Sequence, residues 1–280
     1  MKKILLSILV VLIVAVALFT MVACKETSEP TAANSVVLAE AGSAGEDLAK
    51  EFVKNHPGST YVEAQAQRSI FTELIAYTAD IGFIDSIMAN YYINETGSTF
   101  SGKLQVVDIG AEAETYAIGF RKADVYLTQK VNKALYDLQQ EGKIAEIATT
   151  YGLTSELIAF EDQIVDETLD KTSYNSIINR GTMIVGYTIF APIAYTKDGA
   201  FVGFDTDVAK AVCQKLGVTA VFQEIDWDEK ELELNGYTID AIWNGMTYTE
   251  ERAEAMSMSN SYLRNKQVAV VRKGEASRVN

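Results

Sequence analysis

Short β-branched runs alternate with helical stretches along this sequence, and the alternation starts over past residue 173. In the first pass Ser35 to Leu38 reads as a strand. A helix follows with Leu48, Phe52 and Val53 on one side, and Ser43 and Glu46 have the spacing of a capping box at its start. Ser69 to Tyr77 reads as a second helix and Ile81 to Ile84 as a buried strand with Asp85 at its end. Leu104 to Val107 and Tyr116 to Phe120 are further strands. Leu127, Val131, Leu135 and Leu138 recur at helical spacing up to Gly142, and Ile144 to Tyr151 forms a short helix before Gly152. An acidic segment, Thr154 to Thr172, separates this run from the next. There Met183 to Tyr187 is a strand, Tyr195 to Phe201 a hairpin turning at Asp198-Gly199, and Phe204 to Leu216 a helix with Asp205 as N-cap. Ala220 to Phe222 and Ile239 to Trp243 are strands around a short helix from Glu229 to Leu234. Such alternation predicts an α/β fold with mostly parallel sheets, and its repetition predicts two lobes.

Composition narrows the chemistry. The chain has 280 residues, is 48% apolar and carries a formal net charge of −14, so it can bury a core and lacks the basic face that a nucleic-acid grip needs. Its one histidine, His56, and two cysteines, Cys24 and Cys213, leave little material for a zinc site or a histidine-based catalytic dyad. No metal or cofactor is expected. Cys213 lies among Val208, Val212 and Leu216 and reads as a small core residue.

The beginning of the chain reads as an address. Lys2 and Lys3 precede an apolar run from Ile4 to Ala23, interrupted only by Ser7 and Thr20, and residues 1–23 are read as an export signal. The run ends Met21-Val22-Ala23-Cys24, which resembles the lipobox of bacterial lipoproteins; that resemblance implies lipidation at Cys24 and a polar tether over residues 24–34. The alternative is an uncleaved membrane anchor, since about 20 apolar residues span a bilayer.

A longer resemblance covers the second half. Gly186-Tyr187-Thr188-Ile189-Phe190-Ala191-Pro192, then Val202-Gly203-Phe204-Asp205-Thr206-Asp207, then Asn244-Gly245-Met246-Thr247-Tyr248-Thr249-Glu250-Glu251-Arg252 resemble, in order, the first lobe of the extracellular amino-acid-binding proteins of ABC importers. Val37 to Glu46, Asp80 to Asp85 and Tyr116 to Tyr151 are similar to that family's second lobe and return segment. The resemblance therefore implies a two-lobed, periplasmic-binding-protein-like fold of type II in circularly permuted order. Residues 35–115 would form the lobe normally second and residues 116–280 the lobe normally first, with 114–120 and 267–273 as hinge strands. The alternative is a truncated protein with an unrelated front half.

What the resemblance implies for function is capture of a free amino acid by hinge closure. Arg252 would take the ligand carboxylate through its planar fork, joined by Thr247 and, from the other lobe, Ser43 and the Ala44 N–H. Asp85 and the Gly245 carbonyl would take the ammonium. Phe190 would cover the apolar part of the ligand, and Asn244 and Trp243 would border the pocket, with Trp243 equally placed for the core. Tyr187 and Thr188 stand where relatives that take basic amino acids carry an aspartate, which leans the expectation toward a neutral polar ligand. Gln65 and Gln67 are further hydrogen-bonding candidates. The partners implied are an ABC permease and ATPase, and the membrane through the lipid anchor; the expected form is a monomer outside the cell or in the periplasm. The alternatives are a sensory amino-acid receptor and an enzyme on the same fold, such as a dehydratase.

Overall fold

The structure, a computed structural model, describes residues 31–94 and 98–279. The signal, Cys24 and most of the tether lie outside the described residues; of the tether, Ala32 is buried against the first lobe, its carbonyl accepting a 2.8 Å hydrogen bond from Ser59 Oγ.

Two sheets carry the fold, each built on a path of five hydrogen-bonded strands. The first is ordered β2-β1-β3-β13-β4: β1 is Val36–Glu40, β2 Thr60–Ala64, β3 Ile81–Asp85, β4 Leu104–Val107 and β13 Leu263–Arg272. Both neighbours of β1 run parallel to it, and β13 runs antiparallel between β3 and β4. The second is ordered β10-β7-β11-β6-β12, from β6 (Gly119–Arg121), β7 (Thr182–Tyr187), β10 (Thr219–Glu224), β11 (Ala241–Ile242) and β12 (Met256–Met258). Again the first three are parallel and the fourth is antiparallel. Each sheet thus borrows its fourth strand from the other half of the sequence. This is the α/β, two-lobed architecture expected, but the sheets are mixed rather than mostly parallel, because the strand each takes from the other half of the sequence runs antiparallel to its neighbours.

Chain passes between the sheets twice. β5 (Ala113–Tyr116) pairs with the start of β13, and residues 117–118 lead straight into β6. The return runs through residues 259–262. Residues 267–273, expected as the second hinge strand, instead belong to the first sheet, where Val268, Ala269, Val270 and Val271 are fully buried. A run of four apolar residues without polar alternation is what a strand covered on both faces requires.

Helices cover both sheets. α1 (Ala44–Asn55), α2 (Gln67–Ile75) and α3 (Ser86–Asn94) pack on the first, while α4 (Val125–Gln140), α5 (Lys143–Tyr151), α6 (Thr172–Arg180), α7 (Phe204–Leu216), α8 (Lys230–Asn235) and α9 (Glu250–Ala255) belong to the second lobe. One apolar cluster runs from Leu38 and Ile84 through Tyr116 and Ile118 to Val185 and Trp243, so the core is continuous through the crossing. Cys213 is buried in it, as expected. Among the described residues no helix is long and apolar enough to cross a membrane.

Two capping expectations are corrected. Gly203, at φ 139°, is the N-cap of α7, and Asp205 lies inside the first turn with its carboxylate turned into the core. Ser43 is the N-cap of α1 but caps nothing with its side chain; its Oγ donates to the Glu40 carbonyl (2.7 Å), while Glu46 accepts from the Gly42 N–H (2.9 Å). The Asp198-Gly199 turn forms as read, both residues at positive φ between β8 (Tyr195–Lys197) and β9 (Ala200–Val202).

Candidate ligand-binding site

The parallel strands of the two sheets point their carboxyl ends at one another, the place where open α/β sheets hold ligands. From the first lobe, Glu40 and Asp85 end β1 and β3, Ser43 and Ala44 open α1, and Gln67 opens α2. From the second, Thr188 and Phe190 follow β7, Trp227 follows β10, Asn244, Gly245 and Thr247 follow β11, and Arg252 stands on α9. Together they line a single small cavity. The lobes meet across it. Arg252 Nη2 donates to the Gly42 carbonyl (3.1 Å) and Lys230 Nζ donates to the same oxygen (3.1 Å).

Eight of the ten ligand-binding positions expected from the sequence stand on this wall. Tyr187 and Trp243 do not. Tyr187 packs on Phe201 and Phe222, with ring centroids 4.4 and 6.3 Å away, and Trp243 is 1% exposed within the core. Both end β-strand runs whose side chains alternate, and the register turns these two rings away from the cleft. Gln65 is exposed and Gln67 is on the wall.

Polar groups on the wall are tightly organised. Asp85 Oδ1 accepts from Tyr116 Oη (2.7 Å), Gln267 Nε2 (3.0 Å) and Asn265 Nδ2, and its Oδ2 accepts from Gln67 Nε2 (2.6 Å). Burial nevertheless raises the Asp85 carboxyl above its usual range. Arg252 Nη1 donates to the Thr247 carbonyl (2.7 Å), and the Thr247 hydroxyl donates to Glu114 (3.1 Å). Burial opposes the charge on Arg252, and the nearby Asp85 favours it. The loop carrying Gly245 is pinned from below. Its N–H donates to Asp205 Oδ2 (2.7 Å), which also accepts from Tyr262 Oη (2.7 Å). Gly245 sits at φ 62°, and a Cβ there would come within 3.0 Å of Phe190 and 3.1 Å of Tyr116.

Sequence reasoning missed Glu40, Trp227, Tyr116 and Glu114. Glu40 carried one signal: a carboxylate closing an otherwise apolar strand, just before a glycine-serine turn. It is 5% exposed, and burial, then the nearby Asp85 charge, push its pKa up to about 8 against the pull of Gln67 and Lys230. Among the described residues no group of His, Cys, Asp and Glu is arranged to hold a metal ion.

Comparison with known proteins agrees with the longer resemblance over the second half. Residues 183–279 match the model of the bacterial extracellular solute-binding proteins, family 3. The L-cystine-binding protein TcyJ of Escherichia coli K12 is 30% identical over 107 residues, which are 38% of this chain and 40% of that protein. The probable arginine-binding protein ArtJ of Chlamydia trachomatis is 38% identical over 80 residues, 28% of this chain and 31% of that one. Among solved structures, an ABC uptake transporter substrate-binding protein from Streptococcus pneumoniae with bound histidine is 43% identical over 32% of this chain and 37% of its own, with a TM-score of 0.31. An ancestral cyclohexadienyl dehydratase is 36% identical over 29% of this chain and 34% of its own, with a TM-score of 0.27. The chain spans about 40% of the length of the first of these curated relatives.

Proposed function

We propose that this chain, whose residues 183–279 match the family 3 solute-binding proteins, is the amino-acid receptor of an ABC importer. The observation that carries the reading is the placement of Arg252 and Asp85, from different lobes, on one cavity closed by cross-lobe hydrogen bonds. A free amino acid presents a carboxylate and an ammonium a few ångströms apart. Arg252 offers two nitrogens for the first, now held by the carbonyls of Thr247 and Gly42, and Asp85 Oδ2 offers an acceptor for the second. Phe190 covers the apolar part, and Thr188 with Asn244 supports a polar side chain.

Closure is the working step. A ligand that touches both lobes favours the closed state by the contacts it makes only there. The matching strand orders of the two sheets, each completed by a strand from the other half, support the permuted arrangement, and the relatives' names support an amino acid as cargo. In this reading the chain is exported, lipidated at Cys24 and held at the cell membrane, facing the extracellular or periplasmic side, where it delivers cargo to a permease and its ATPase.

The reading is tested by a thermal-shift screen of the full chain against the twenty amino acids and cystine. A ligand stabilises by RT ln(1 + [L]/Kd), so a micromolar binder at millimolar concentration adds about 4 kcal/mol. No shift with any of them would overturn it.

A further inference from the structure

Two cations of the second lobe converge on one carbonyl oxygen of the first. Lys230, on α8, donates from Nζ to the Gly42 carbonyl (3.1 Å), the same oxygen that Arg252 Nη2 reaches at 3.1 Å. Arg252 stands on the cavity wall, but Lys230 does not. Lys230 is nevertheless buried, at 5% exposed, and among the described residues it forms no salt bridge. What holds its ammonium on its own lobe is the Trp227 carbonyl (3.0 Å), with the Trp227 ring centroid 5.1 Å away. The opposite side of the contact is also fixed. The Gly42 N–H donates to Glu46 (2.9 Å), and Glu46 is itself held by Tyr61 Oη (3.0 Å) and Lys50 (2.8 Å). Gly42 has φ 66°, and a Cβ there would lie 3.0 Å from Lys230 Nζ and 3.3 Å from the Asp228 Cα, so glycine lets this turn sit against the loop before α8.

We propose that Lys230 is the closure latch of this protein, a positioning residue off the ligand whose bond to the Gly42 carbonyl tightens when the ligand's carboxylate reaches Arg252, so that it sets how long cargo stays bound. The proposal rests on the amino-acid-receptor reading and deepens it. The bond from Lys230 to Gly42 spans the lobes and is made only when they are together, so it favours the closed state and contributes nothing to the open one. Yet the two cations that share this oxygen repel. Burial, then the Arg252 charge, disfavour the Lys230 ammonium. A carboxylate paired with Arg252 cancels most of that repulsion, and the ammonium then holds the carbonyl with less opposition. Ligand and latch are thereby coupled through charge, with no contact between them. The coupling is reciprocal, so whatever weakens the latch weakens the hold on the ligand. A bond completed only at closure acts on the escape of the ligand rather than on its entry.

The experiment is stopped-flow tryptophan fluorescence and titration calorimetry of the full chain, with Trp227 on the cavity wall as the reporter. One probe is the tightest binder among the twenty amino acids and cystine. The other is the α-carboxamide of that amino acid, which brings no carboxylate to Arg252 and is measured by displacement at up to millimolar concentration. Lys230→Met is expected to raise the dissociation rate of the amino acid about 10-fold and to change its association rate by less than about 2-fold. Lys230→Arg, which keeps a cation and its donors, is expected to restore dissociation to within about 3-fold of the wild type. The affinity lost on Lys230→Met is expected to be at least about 3-fold smaller for the carboxamide than for the amino acid, whereas a merely structural lysine would weaken both alike. Should Lys230→Met fail to fold, Gly42→Ala opposes the same bond from the other lobe and is expected to speed dissociation likewise. An unchanged dissociation rate, or equal losses for the two probes, overturns the latch and leaves the receptor reading intact. Binding of no amino acid at all by the wild type overturns both.

Discussion

Arg252 Nη2 reaches the carbonyl oxygen of Gly42 on the opposite lobe at 3.1 Å, while its Nη1 holds the Thr247 carbonyl of its own lobe at 2.7 Å. The guanidinium is therefore both a wall of the cavity and one of its latches. In the receptor reading proposed above, removing it takes away the cationic partner of the ligand and a cross-lobe bond together. Arg252→Ala is expected to weaken amino-acid binding by at least about 100-fold. Thermal unfolding without ligand should change by only a few degrees, because the side chain gives up hydrogen bonds to two carbonyls and is no member of the apolar core. Micromolar affinity retained in this variant would reject the site.

Asp205 gives a pH dependence with a definite sign. Its carboxylate is 1% exposed, Oδ1 has no partner, and burial raises its pKa to about 7. An unfolded aspartate titrates near 3.9, so between about pH 4 and pH 7 the folded chain keeps a proton that the unfolded chain has lost. Raising the pH through that window removes stability at up to about 1.4 kcal/mol per unit, and the loss levels off above the folded pKa. Glu40, at about 8, adds the same sign over a window extending slightly higher. The melting temperature of the wild type is expected to fall from pH 5.5 to pH 8.5. Asp205→Asn should flatten much of that slope, and an unchanged slope would mean that Asp205 is already ionised at pH 5.5.

The strand and helix alternation made the architecture readable, because buried parallel strands such as Ile81–Asp85 and Thr182–Tyr187 are continuous apolar runs. β2 escaped notice: Thr60–Ala64 is an edge strand, largely exposed, and its Thr-Tyr-Val-Glu pattern contains little apolar signal. α6 was hidden in the acidic segment and the residues after it, since Ile177 is its one fully buried residue. At the cavity, Arg252, Asp85 and Phe190 were legible through the ordered motifs around them. Glu40 and Tyr116 were not, because a strand's sequence does not say which of its ends faces another lobe. Tyr116 gains its place only through the crossing, where its hydroxyl meets Asp85 and its ring meets Phe190 at 6.3 Å.

Gly203 is a backbone position where no side chain fits. Its φ is 139°, and a Cβ would lie 2.1 Å from the Ile193 carbonyl oxygen. That oxygen accepts from the Asp205 N–H (3.0 Å) and sets the start of α7, so it is not free to move aside. Gly203→Ala is expected to cost about 3 kcal/mol or more. For a chain of this size that lowers the melting temperature by about 6 °C or more, read by circular dichroism. A loss under one degree would show that the turn before α7 relaxes freely.

Cys24 predicts a covalent modification independent of the cavity. Growth with radiolabelled palmitate is expected to label the wild-type protein and not Cys24→Ser. Absence of label on the wild type would favour the alternative of an uncleaved apolar anchor over residues 4–23.

The exchange of strands between the halves predicts that neither half is self-sufficient. β13, from residues 263–272, is the strand that joins β3 to β4; without it those two strands share no bond, and residues 35–115 lose the middle of their sheet. The complementary fragment, 116–280, keeps β6 but exposes both edges of β13, including the fully buried Val270 and Val271. An apolar strand with unpaired edges invites aggregation. Expressed alone, 35–115 is expected to show no cooperative melt by circular dichroism, and 116–280 to be largely insoluble. Co-expressed, the two are expected to recover as a complex that binds amino acid, because every strand pairing is then restored. A cooperative melt for 35–115 by itself would mean that β1, β2 and β3 with their helices suffice, and that β13 is an addition to a sheet already stable.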